Sequence, residues 1–263
     1  WGITANGINY NNNQTCFEND IPGSIIDYSN TGSDASATWE GAIGGLSITS
    51  RTNVPINAAF FVTKVTIVNT TDATINDVFY MRNVDPDQGV FTPEAGGGFT
   101  TNNSIIFQNP NSTDTALAAA TSLQGDNFLG LGSIDSRARV THGGFSNRNA
   151  MNIWTGIGFN SSGAFTADEA ISISFNLGNL EPNQSTTFSY VYILSIDDLD
   201  IEEALAATSA ISDITCDSAV LNATSTETGT GYWMVVPNDS TAPTAAQIKN
   251  GTDYDSVTVV SSG

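Results

Sequence analysis

A chain of 263 residues, 40% of them hydrophobic, with a mean hydropathy of −0.08, has the apolar content to build a large packed core. Its 27 acidic residues against 7 basic ones leave a net charge of −20, which repels nucleic-acid phosphates and anionic lipid headgroups. No apolar run approaches the ~20 residues that span a bilayer, so nucleic acid and membrane insertion are excluded, and the composition suits a secreted or cell-surface protein whose carboxylates could recruit Ca²⁺.

The chain opens at Trp1, without Met or a charged-then-apolar leader, and reads as a processed protein or an excised segment. The first clear β pattern runs from Phe61 to Asn69, with Val65 and Ile67 opposite Val62 and Val68. Asn69-Thr70-Thr71-Asp72 breaks it, and Asp77 to Val84 resumes it, so these two strands are expected to pair. Further β runs at Ser104 to Gln108, Phe128 to Ile134 and Met151 to Phe159 are separated by Asn, Gly, Pro and Ser clusters that favour turns.

The strongest strand is Ala170 to Leu177, where Ile171, Ile173, Phe175 and Leu177 alternate with Ser172, Ser174 and Asn176. After the turn Glu181-Pro182-Asn183-Gln184, the segment Thr187 to Ser195 puts Phe188, Tyr190, Tyr192 and Leu194 on one face and Val191 and Ile193 on the other. An antiparallel hairpin is expected. Asp198 to Ala207 carries strong helix formers, with Glu203 three residues after a cap at Asp200, and predicts a short helix at the end of the first domain.

A second module is expected to begin near Ile211. Ala219, Leu221 and Ala223 alternate with polar neighbours, Thr226 to Gly231 reads as a turn, and Tyr232 to Val236 as a strand. Pro243 to Gly251 reads as a one-turn helix and Val257 to Val260 as a last strand. These residues are few for an Ig-like sandwich of ~100 residues, so the module reads as truncated or as completed by another chain.

Within it, Gly229-Thr230-Gly231-Tyr232-Trp233-Met234-Val235-Val236-Pro237, followed by Ala242-Pro243-Thr244-Ala245-Ala246-Gln247-Ile248-Lys249-Asn250-Gly251, resembles the fibronectin-III-like repeats of large bacterial surface proteins. Tyr80 to Gln88 and His142 to Arg148 resemble the leading β-sandwich of similar secreted proteins. The resemblance implies a multidomain adhesin or surface-filament protein, and it supplies no ligand. The expected fold is all-β: a large antiparallel, jelly-roll-like β-sandwich over residues 1–210 ending in a helix at about 198–207, then a partial fibronectin-III/Ig-like module over residues 211–263.

Catalytic patterns are sparse. His142 is the only histidine, and its His142-Gly143-Gly144 loop has no Gly-x-Ser-x-Gly elbow to accompany it; it is expected to be a loop histidine bonded to nearby backbone. Glu40, Asp85, Asp87 and Glu94 are the carboxylates near aromatics that could serve glycoside hydrolysis. Calcium fits better: Asp85-Pro86-Asp87-Gln88 offers Asp85, Asp87 and Gln88 in one turn, with Asp197, Asp198 and Asp200 as a second acidic group explained by a helix N-terminus.

Zinc is not expected from one histidine and two distant cysteines. Cys16 and Cys216 are a disulfide candidate pair that spacing alone does not settle. Asn-x-Ser/Thr triplets, Asn69 among them, argue only that glycosylation is permitted. Trp1, Tyr10, Trp39 and Trp154 are either a sugar-stacking platform or core.

The function expected from the sequence is an extracellular structural or adhesive cell-surface protein, not an enzyme, with neighbouring copies of itself, adjacent modules of a larger protein or surface glycans as partners. The alternative is a carbohydrate-binding module of a secreted multidomain protein.

Overall fold

Period-two alternation lets a strand bury one face, and the chain uses it to stack two antiparallel sheets with their apolar faces inward. The computed structural model describes residues 1–12, 20–32, 34–56, 58–87, 99–109, 115–123, 127–146, 148–195, 208–212, 220–224, 232–237, 240–241 and 243–262. Its strands are β1 (Gly2–Ala5), β2 (Ile8–Asn11), β3 (Gly23–Asn30), β4 (Asp34–Ile43), β5 (Leu46–Pro55), β6 (Phe60–Asn69), β7 (Ile75–Val84), β8 (Thr101–Phe107), β9 (Ala116–Ser122), β10 (Phe128–Ser133) and β11 (Ala138–Gly143). After the helix α1 (Ala150–Thr155) come β12 (Ala164–Ala167), β13 (Ala170–Leu180) and β14 (Ser185–Ile193).

One sheet has the order β11-β13-β7-β1-β2 and the other β12-β8-β9-β10-β14-β6-β5-β4-β3. The expected all-β sandwich is the observed fold. Between the sheets, Ile3, Val78, Tyr80, Val140, Ile171, Ile173 and Phe175 of the smaller sheet meet Leu46, Ile48, Val65, Ile67, Leu131, Phe188 and Tyr190 of the larger.

Both expected hairpins are corrected. Strand β6 pairs with β14 and β7 pairs with β13, so the turns after Asn69 and after Leu180 each carry the chain from one sheet to the other instead of folding a strand back on its neighbour. The apolar faces of β13 and β14 meet across the core, where the Phe175 and Phe188 rings pack tilted with centroids 4.3 Å apart. The face assignment within β14 is as expected, Phe188, Tyr190 and Tyr192 entering the central core and Val191 and Ile193 a separate cluster with Leu117 and Phe128.

The strand expected at Met151 to Phe159 is instead the helix α1. The Asn149 side chain caps it by accepting from the Asn152 N–H, left-handed Gly156 ends it, and Ala150 and Ile153 bury it against Phe79 and Met81 on the outer face of the smaller sheet.

The chain divides into two compact units, Trp1–Leu205 and Ala206–Gly263. In the second, β15 (Thr208–Ser212) pairs with β16 (Val220–Thr224), and β17 (Met234–Val235) with β18 (Ser261–Ser262). The helix α2 (Ala245–Asn250) stands where the Pro-to-Gly pattern placed it, with a capping box between Thr244 and Gln247 and Gly251 left-handed at its end; Pro243 precedes the cap. The last strand lies at Ser261–Ser262 and not at Val257 to Val260, where Tyr254 and Val257 form a bridge. The helix expected at Asp198 to Ala207 lies outside the described residues.

Candidate functional site

Register decides which loops meet. Because Val84 pairs with Ile171, the chain leaving β7 at Asp85 to Asp87 runs beside the chain entering β13 at Asp168 and Glu169, and His142 of β11, also paired with Ile171, ends at the same edge. Carboxylate oxygens of Asp85, Asp87 and Asp168 consequently lie within 4.8 Å of one another. Two of the three expected calcium ligands, Asp85 and Asp87, are thus joined by Asp168, about which the local sequence pattern says nothing. Gln88 lies outside the described residues.

The cluster is electrostatically unfavourable as it stands. Burial and the repulsion of Asp87 and Asp168, with a hydrogen bond to Asp87, push the Asp85 carboxyl up to about 6. The Asp87 Oδ1 is sealed from solvent and has no hydrogen-bond partner among the described residues. Buried Pro86 fixes the backbone between the two acids. A hard divalent cation would satisfy all three groups, and because Ca²⁺ takes 6–8 oxygens, three carboxylates contributing one atom each would leave positions for other oxygens.

The His142 ring is 1% exposed, and the expectation of a loop histidine bonded to backbone is corrected. It lies on β11, its Nδ1 pairs with the Glu169 Oε2 at 2.7 Å, and its Nε2 is buried without a partner among the described residues. Its backbone bonds Asn160 in both directions at 2.9 Å. With the Glu169 carboxylate as acceptor, Nδ1 is the donor of this bond. No nucleophile of the described residues is hydrogen-bonded to Nε2.

The remaining candidates disperse. Glu40 is exposed on β4, where it accepts from the Thr49 hydroxyl at 3.5 Å. Glu94, Asp197, Asp198, Asp200, Cys16 and Cys216 lie outside the described residues. Trp1, Tyr10 and Trp39, each partly buried, pack against the central core, and Trp154 against the α1 cluster. Asn69 is fully buried and hydrogen-bonded, which closes it to glycosylation in the folded protein.

The fold and the site together define a β-sandwich with a carboxylate cluster at one end of its smaller sheet. No protein-family model matches the chain, and no curated protein matches it. Among solved structures it is similar to a putative kojibiose phosphorylase from human microbiome, at 10% identity and a TM-score of 0.37, covering 73% of this chain and 21% of that one. It is also similar to a galactose mutarotase-like protein from Lactobacillus casei ATCC 334, at 11% identity and a TM-score of 0.33, covering 73% of this chain and 80% of that one. A galactose mutarotase related enzyme from Lactobacillus acidophilus matches at 11% identity and a TM-score of 0.28, covering 73% of this chain and 77% of that one. The expectation that the chain is not an enzyme is withdrawn, since structures it is similar to are described as a putative kojibiose phosphorylase and a galactose mutarotase related enzyme. Likenesses of this size transfer no activity and no substrate to this chain.

Proposed function

We propose that this chain is an extracellular adhesive protein whose first unit binds neutral glycans through Ca²⁺ held by Asp85, Asp87 and Asp168, with residues 211–263 forming the start of a fibronectin-III-like repeat. The observation that supports this reading is the convergence of three carboxylates from two distant segments within 4.8 Å, at an exposed sheet end. A cation there would retain open positions that vicinal sugar hydroxyls can fill, and a neutral ligand escapes the repulsion of a chain carrying −20.

Calcium titration by calorimetry, followed by a glycan array in calcium and in EDTA, tests the reading. One saturable Ca²⁺ site, lost in Asp85→Asn and Asp168→Asn, with array binding that disappears in EDTA, is the expected result. A chain that takes up no Ca²⁺ at millimolar concentration, or whose array profile ignores EDTA, rules it out.

The raised Asp85 favours a second reading. A carboxyl pushed up to about 6 beside two further carboxyl groups has the form of the acid and base of glycoside cleavage. Release of reducing sugar from a polysaccharide panel, abolished by Asp85→Asn and indifferent to EDTA, would select it over calcium-dependent binding.

A further inference from the structure

Arg82 shares the inward face of β7 with Tyr80 and Val84, so its guanidinium enters the space between the sheets. Its Nε donates to the Tyr192 hydroxyl at 2.6 Å, and its Cζ lies 5.8 Å from the centroid of the Tyr192 ring, which is stacked on Phe61 with centroids 4.6 Å apart. No carboxylate of the described residues reaches it. Tyr192, Tyr190, Tyr80 and the Trp1 amino group act on its charge, and of the phenols burial pushes Tyr192 up to about 12 and Tyr80 well above its ordinary value, so neither is a phenolate at neutral pH.

Neither Nη has a partner among the described residues, and neither is sealed from solvent. Elsewhere the chain pairs such a group fully: Arg137 engages both oxygens of Asp135, with Nε to Oδ1 at 2.8 Å and Nη2 to Oδ2 at 2.5 Å. A half-buried guanidinium without an acid is costly, and with 27 acidic residues available the want of one at Arg82 is not a shortage of carboxylates.

We infer that Arg82 is a binding site for the carboxylate of a small ligand, an organic acid or an acidic sugar. The fork of the guanidinium matches the two oxygens of a carboxylate, and with Nε fixed on Tyr192 the two Nη atoms are left to receive it. Long-range repulsion from the acidic surface is screened beyond ~8 Å at physiological salt, so the local cation governs a small ligand although it would not rescue a polyanion. This inference goes beyond the glycan reading and does not depend on the calcium site.

The test is a titration of the full chain, kept in EDTA so that its outcome is separate from that of the calcium reading, with glucuronate, acetate and glucose, following the arginine Nε–H resonances by NMR. Glucuronate is expected to shift the Arg82 resonance saturably while glucose does not. A response to acetate of equal affinity identifies a simple organic acid, and a response to glucuronate alone an acidic sugar. Arg82→Gln is expected to abolish binding and Arg82→Lys to weaken it at least tenfold. Absence of a saturable shift in the wild-type chain overturns the inference whatever the variants do, as does glucuronate affinity in folded Arg82→Gln within twofold of wild type.

Discussion

Trp39 lies flat across two glycines of neighbouring strands. A Cβ on Gly23 would stand 2.1 Å from the indole and 2.3 Å from the Glu40 carbonyl oxygen, and one on Gly41 2.2 Å from the indole and 2.3 Å from the Pro22 carbonyl oxygen. Backbone cannot yield as a flexible side chain does, so Gly23→Ala and Gly41→Ala are each expected to destabilise by about 1–3 kcal/mol in urea denaturation. Asp85 makes a prediction of opposite character. Its folded value of about 6 lies above the ordinary carboxylate value near 3.9, so the folded chain binds the proton more tightly than the unfolded one. In EDTA the contribution of this group is fully present below pH 4 and is lost as pH rises from about 4 to 6. The Tm of the wild-type chain should therefore fall more across that window than the Tm of Asp85→Asn, and calcium should restore the difference above pH 6; parallel Tm profiles for the two proteins would refute this account.

Two turns act as one element. Asn69 donates from Nδ2 to the carbonyls of Ala73 and Leu180, accepts through Oδ1 from the amide and hydroxyl of Thr71, and exchanges backbone hydrogen bonds with Asn183 and Gln184. It ties the turn after β6 to the turn after β13 where both cross between the sheets. Asn69→Ala leaves the buried Leu180 carbonyl, the Ala73 carbonyl and the Thr71 amide without their partner, and a loss of about 1–3 kcal/mol in equilibrium denaturation is expected. Helix α1 is held differently, by one cap and one buried stripe. Asn149→Ala should cost about 1 kcal/mol and Ile153→Ala about 2–5 kcal/mol, a ranking that urea midpoints can check. The sequence marked Asn69 to Asp72 and Glu181 to Gln184 correctly as turns. It could not show that each turn changes sheets, because that depends on which partner strand arrives from a distant part of the chain.

At the scale of the whole molecule the chain has two compact units, divided between Leu205 and Ala206. A chain ending at Leu205 is expected to keep the thermal transition of the first unit within a few degrees, and a loss of cooperative unfolding would mean that the sandwich needs residues of the second unit to complete it. By itself the sequence determined the all-β class, the strands β6, β7, β10, β13 and β14 to within a few residues, and the opposing faces of β14, since period-two alternation and turn residues are local properties. Strand β3 went unmarked because its apolar residues do not segregate to one buried face: Ile25, Ile26 and Tyr28 are all exposed. Tertiary structure alone decided that the apparent hairpins cross the sandwich, that Met151 to Thr155 is helical against Phe79 and Met81, that Asp168 joins Asp85 and Asp87, and that Arg82 stands without an acid among the described residues. Each of these depends on register between strands distant along the chain, which long-range packing of apolar faces sets and no local pattern records.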